Sequence, residues 1–220
     1  MKALDKIFIN NKLFKAAIIL AGICFLIDAA IVLIVNPAIN IFNSTMAIGL
    51  CICNLLLLYF SQKYKDNLVK GIAGLLLGLI FAYDLRFFDK NYMWFTSLYL
   101  FFGILKLILD VALIVFYFVA REDPDGQANA IRYCQGTFVV LALITILNNV
   151  PYFVDDFMES NPCWFIQDIV ETLAFILSYF AIVSVACTVD KYKALRAQYE
   201  EKNEWTQERR IKTKEELFGK

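Results

Sequence analysis

Six long apolar stretches separated by short polar connections organise the 220-residue chain, near 13–35, 45–62, 71–88, 94–120, 132–154 and 163–189. About 20 mainly apolar residues in a helix cross roughly 30 Å of hydrocarbon, so each stretch predicts a membrane-spanning helix. The second and third are short; the fourth and sixth are long enough to tilt or to extend into water. The apolar run from Leu13 to Val35 exceeds the roughly 7–15 residues of a signal-peptide core. "VNPAIN" after it offers no small-x-small cleavage pattern, which predicts a retained first span. The expectation is an all-helical, polytopic bundle: a six-helix transmembrane domain over 1–190 and a charged tail over 191–220.

Within the spans the polar positions recur at helical spacing. Thr96, Tyr99, Gly103, Lys106, Asp110, Leu113 and Tyr117 follow steps of three and four and share one face of the fourth span. Ala17, Ala21, Cys24 and Asp28 do so on the first, and Cys51, Asn54, Leu58 and Ser61 on the second. The fifth carries Ala142, Thr145, Asn149 and Tyr152, and the sixth Trp164, Asp168, Glu171, Phe175 and Ser178. Lipid penalises such faces, so they are expected to meet inside the bundle. On the third span Gly74-x-x-x-Gly78 predicts close helix packing, with Asp84 on nearly the same side. "FLIDAAIVLIV" at 25–35 and "LILDVALIVFYF" at 107–118 share an Asp followed by small apolar residues, a pattern expected of inverted repeats.

Composition agrees with this picture: 60% of the residues are hydrophobic and 19% charged, below the roughly 25% charged of soluble domains. Twenty-one Lys+Arg balance 21 Asp+Glu, so no bulk charge attracts nucleic acid. The basic residues sit in alternate connections. Lys2, Lys6, Lys12 and Lys15 precede the first span; Lys63, Lys65 and Lys70 lie in the second connection; Arg121 and Arg132 flank the fourth; Lys191, Lys193 and Arg196 open the tail. The first and fifth connections have none, and the third has Arg86 and Lys90. Cytoplasmic retention of Lys and Arg then predicts both termini inside. With that direction, Asp28, Asp84, Asn148, Asn149, Asp168 and Glu171 fall toward the outer side, and Lys106 and Asp110 near the midplane.

Five intramembrane acids, Asp28, Asp84, Asp110, Asp168 and Glu171, face Lys106 and, near the outer edge, Arg86. A charged residue costs about 2.5–3.5 kcal/mol at a span's centre on insertion scales, so several together point to use. Lys106 and Asp110, at i and i+4, either neutralise each other or leave Lys106 as counter-ion to an acid on another span. The order Lys-before-Asp is the weaker one for a pair within a helix, which favours a partner elsewhere. Asp155, Asp156 and Glu159 add an acidic rim, as outer loops do when Lys and Arg are retained inside.

Absences restrict the chemistry. The chain has no His, which excludes His-ligated zinc or haem and Ser-His or Cys-His nucleophile systems. "AYDLRF" at 82–87 resembles the Tyr-Asp element of intramembrane aspartyl proteases, but there is no Gly-x-Gly-Asp partner. No Gly-rich phosphate loop occurs. The cysteines at 24, 51, 53, 134, 163 and 187 have no metal spacing and are expected to pack as small apolar residues without a structural disulfide. Ala17-x-x-x-Ala21, in a six-span chain of this size, is similar to a spacing in the substrate-binding components of energy-coupling vitamin transporters. The charged tail departs from that family's pattern, and no assignment follows.

The tail, "QYEEKNEWTQERRIKTKEEL", is expected to continue the sixth helix, with Leu195, Tyr199 and Trp205 meeting a protein partner or the headgroups. The leading expectation is a non-enzymatic channel or transporter in the plasma membrane, without cofactor, taking a cation or cationic solute through an acidic outward-facing cavity. Asp28, Asp84, Asn149, Asp168 and Glu171 are its candidate ligands, and Lys106 with Asp110 its counter-ion or gate. The competing expectation is a non-transporting scaffold, sensor or assembly subunit that binds its partner through the tail. Both leave room for a homo-oligomer.

Overall fold

The computed structural model describes residues 7–35, 41–62, 66–85, 97–122, 127–158 and 162–187. They form six long helices: α1 (Asn11–Val35), α2 (Ile41–Gln62), α3 (Asp66–Leu85), α4 (Ser97–Glu122), α5 (Gln127–Met158) and α6 (Pro162–Cys187). All six are long and apolar enough to cross a membrane, the architecture of an integral membrane protein. Leu195, Tyr199 and Trp205 lie outside the described residues, as do Arg86 and the tail.

Local chemistry sets several helix ends. Asn10 caps α1: its side-chain oxygen accepts from the N–H groups of Lys12 (3.0 Å) and Leu13 (3.4 Å), which the first turn leaves without intrahelical partners. Pro162 opens α6, where a missing N–H breaks no helical bond. Pro151 lies inside α5, with no N–H to give to the Leu147 carbonyl one turn back.

The bundle is apolar outside, and its interior mixes apolar side chains with buried polar and charged ones. On α4, Phe101, Ile104, Ile108, Val111, Val115 and Phe118 are exposed, whereas Gly103, Lys106, Asp110, Leu113 and Tyr117 are buried. Each set steps by three and four, so one helix presents a hydrocarbon face outward and a charged face inward. In water that arrangement would forfeit the hydrophobic driving force; in lipid it is the stable one.

α6 is the axis of the assembly. In its span 61% of the residues are buried, against 33–44% in the other five. It runs antiparallel to α1: Phe8, just before α1, stacks on Phe180 at 5.0 Å, and Phe25 meets Phe175 edge-on at 5.6 Å. α5 also runs against it, with Gln135 beside Cys187 and Asn149 beside Thr172. α3 and α4 are antiparallel as well, since Tyr117 donates to the Lys70 carbonyl while Lys106 meets Asp84. The end at which α1 begins is termed proximal below, and the opposite end distal.

The glycine pattern on α3 acts differently from expectation. A methyl group at Gly74 would meet the Phe118 and Tyr117 rings at 3.5 and 3.7 Å, so this glycine does face α4. Gly78 is exposed with nothing within 4 Å of such a group. The face that packs is instead Val69, Ala73, Leu76, Leu77, Ile80 and Asp84, because large apolar residues gain more contact area than glycine provides.

Candidate functional site

Polar side chains on α6 form a track that reaches every other helix. Gln167 hydrogen-bonds Asp28 of α1. Glu171 accepts from Tyr83 of α3. Thr172 accepts from Asn149 of α5 at 2.6 Å and donates to its own helix at the Asp168 carbonyl. Ser178 accepts from Asn54 of α2 at 3.2 Å. Tyr179 meets Asp84 of α3 and Asp110 of α4. From Gln167 to Tyr179 the track covers about 18 Å along the helix at 1.5 Å per residue.

At its proximal end is an ion-pair network. The Lys106 ammonium lies 2.7 Å from Asp84 Oδ1 across the α3/α4 boundary, both residues being buried. It also sits 4.9 Å above the Phe175 ring, a favourable site for a desolvated cation. The second Asp84 oxygen lies 3.3 Å from the Tyr179 hydroxyl, which donates to Asp110 Oδ1 at 2.7 Å. Asp110 is fully buried, and its Oδ2 has no hydrogen-bond partner among the described residues. Lys106 therefore bonds across helices to Asp84, while Asp110, one turn along its own helix, is held by Tyr179.

The distal cluster is built differently. Asp28 is 3% exposed and stands in the electrostatic field of Glu171 and Asp168. Its Oδ1 and the side-chain carbonyl of Gln167, also buried, have no hydrogen-bond partner among the described residues. Three carboxyls thus converge around a neutral amide, with no basic side chain in the group among the described residues. Glu171 lies within electrostatic reach of Lys106 and so joins the two regions.

Proximal to Tyr179 the interior is mainly apolar, although Ser184 and Gln135 are buried there too. Ala181, Ile182, Val183, Val185 and Ala186 are buried and apolar, and Phe8, Phe138 and Phe180 interlock beside them. The cysteines are in no disulfide. Among the described residues no three Cys, Asp or Glu are gathered in a metal-holding arrangement.

The structure brings Asp84, Lys106 and Asp110 together, and Asp28, Asp168 and Glu171 together. Asn149 is engaged with Thr172, whose hydroxyl also bonds the Asp168 carbonyl. Tyr179, Gln167 and Tyr83 are the residues that sequence reasoning missed. The signal for Tyr179 was present: from Glu171 and Phe175, a further step of four lands on it, whereas the stripe was followed by a step of three to Ser178. No family model, curated protein or solved structure matches the chain.

Proposed function

We propose that this protein is a small channel or transporter for a cation or cationic solute, with both termini cytoplasmic, resident in the plasma membrane. The supporting observation is the distal cluster: a buried carboxylate oxygen on Asp28 and a buried carbonyl oxygen on Gln167, both without a hydrogen-bond partner among the described residues, beside Asp168 and Glu171. Buried acceptors without donors are costly, roughly 1–3 kcal/mol each, and a cation entering among them removes that cost. The acids Asp155 and Asp156 of α5, with Glu159 following in sequence, would concentrate cations at the same end. The proximal aromatic layer closes the path beyond Tyr179, and Lys106, held by Asp84, serves as fixed counter-charge or gate.

The test is flux into proteoliposomes across H⁺, Na⁺, K⁺ and small organic cations, comparing wild type with Asp168→Asn/Glu171→Gln. Flux in the wild type and its loss in a folded double variant is the expected result. A wild type that passes none of these cations, with both proteins equally stable, removes the proposal.

The second reading, a scaffold or assembly subunit, draws on the bonds by which α6 ties to all five partners, which would serve packing alone equally well. Under it, truncation after Lys193 abolishes partner capture, and charge neutralisation alters assembly without any flux to lose.

A further inference from the structure

Around Lys106 the charges do not balance. Asp84 contacts the ammonium directly, Asp110 lies one turn away on the same helix, and the described residues place no second Lys or Arg beside them. Two carboxylates beside one ammonium, with Glu171 also within its electrostatic reach, leave an excess of negative charge in a buried site. The groups facing this pair are Tyr179 and Glu171 from α6, Tyr83 from α3 and, more distally, Asp28 from α1. None is basic. Asn54 of α2 and Asn149 of α5 add only neutral amides, already bonded to α6.

Geometry says what balances the charge. The Tyr179 hydroxyl has a single hydrogen, and the 2.7 Å contact assigns it to Asp110 Oδ1. The 3.3 Å approach of Asp84 Oδ2 to the same phenol oxygen brings together two oxygens that would otherwise both be acceptors. A hydrogen on Asp84 Oδ2 makes that contact favourable. The other location is Asp110 Oδ2, which is buried, has no hydrogen-bond partner at close range among the described residues and belongs to a carboxyl that neighbours Asp84.

We propose that Asp84, Tyr179 and Asp110 form a proton relay that holds one exchangeable proton beside Lys106, making H⁺ the ion that this protein couples to cation movement. The proposal rests on the transport reading above and supplies its coupling ion. In one state Asp84 Oδ2 carries the proton and donates to the phenol oxygen, which donates to Asp110. Transfer moves both hydrogens in the same direction: the Asp84 proton bonds to the phenol oxygen as the phenol's own hydrogen leaves for Asp110 Oδ1. Asp84 becomes a carboxylate paired with Lys106, Asp110 becomes the neutral acid, and Tyr179 is regenerated. No electrons change hands and no co-reactant is consumed. A cation arriving beside Glu171 and Asp28 adds positive charge distal to Lys106 and favours departure of that proton, which is the coupling.

Two measurements on the full-length chain test this. The first is the infrared carbonyl stretch of protonated carboxyl groups in purified protein at neutral pH, with its shift in D₂O. Removing either carboxyl balances the remaining one against Lys106, so Asp84→Asn and Asp110→Asn should each abolish one acid's share of the band. Tyr179→Phe leaves the charges unchanged and should retain it. A wild type without the band, or a band unchanged in both Asn variants, overturns the shared proton. The second is acidification of vesicles containing a trapped pH dye, driven by an imposed K⁺ diffusion potential. Tyr179→Phe should slow proton entry by about a hundredfold, the low end for a positioned proton-transfer group. Cation flux without proton movement in the same wild-type vesicles overturns the relay and leaves the transport reading standing; proton movement equal in wild type and Tyr179→Phe overturns the role of the phenol.

Discussion

Two acidic regions lie along α6, linked through Glu171, and they are solved in opposite ways. At the proximal one, Asp84 and Asp110 have a lysine, a phenol and an aromatic face. At the distal one, Asp28 has a glutamine and two further acids, and acceptor oxygens on Asp28 and Gln167 have no hydrogen-bond partner among the described residues. The same residue type at similar burial is therefore stabilising in one place and a strain on the fold in the other. Partners decide which, because a buried charge is tolerated in proportion to the opposite charge and hydrogen bonds it receives.

The sharpest way to break this comparison is to remove the lysine. Lys106→Met leaves two buried carboxyls without their counter-charge and should destabilise the bundle by about 3–5 kcal/mol, the usual result of breaking one side of a buried pair. Thermal unfolding in detergent reads it. Adding Asp84→Asn to the same chain should recover a large part of the loss, since the partner no longer needs an ammonium. An additive double variant would show that the 2.7 Å contact carries no coupling.

Asp28→Asn should act with the opposite sign. It removes an unbalanced carboxylate, so stability should rise by about 1 kcal/mol while cation flux is lost. A fall in melting temperature comparable to that of Lys106→Met would mean that Asp28 is structurally paired after all, and that the two regions do not differ.

The smallest effect belongs to the neutral bonds between the regions. Asn54→Ala removes the Ser178 contact and should cost about 0.6 kcal/mol, the average for such interhelical bonds in membranes, with flux unchanged. A much larger cost would make the whole α6 track, rather than its ends, the stabilising element.

Much of this was legible along the chain. Lipid allows only backbone-satisfied helices, so length and hydropathy alone delimit six spans; the observed helices start or end within a few residues of the expected limits, α2, α3 and α5 beginning earlier. The inward face of α4 was equally legible, since Gly103, Lys106, Asp110, Leu113 and Tyr117 are all buried. The glycines of α3 were less so: spacing locates Gly74 and Gly78 on one side without saying which residues a neighbour covers. Asp28 and Asp110, alike in local sequence, both turn toward α6 yet meet Gln167 and Tyr179 respectively, a difference no local pattern encodes.

The sequence by itself determined the helices, their apolar outer faces and the inward face of α4, because 3.6-residue periodicity and the hydrocarbon environment act within a single segment. Only the tertiary structure decided that α6 is the axis, that Lys106 bonds Asp84 rather than Asp110, and that Tyr179 meets a carboxyl 95 residues away. Those outcomes depend on the order and rotation of helices about one another, which side-chain packing across the whole bundle selects and no single helix specifies.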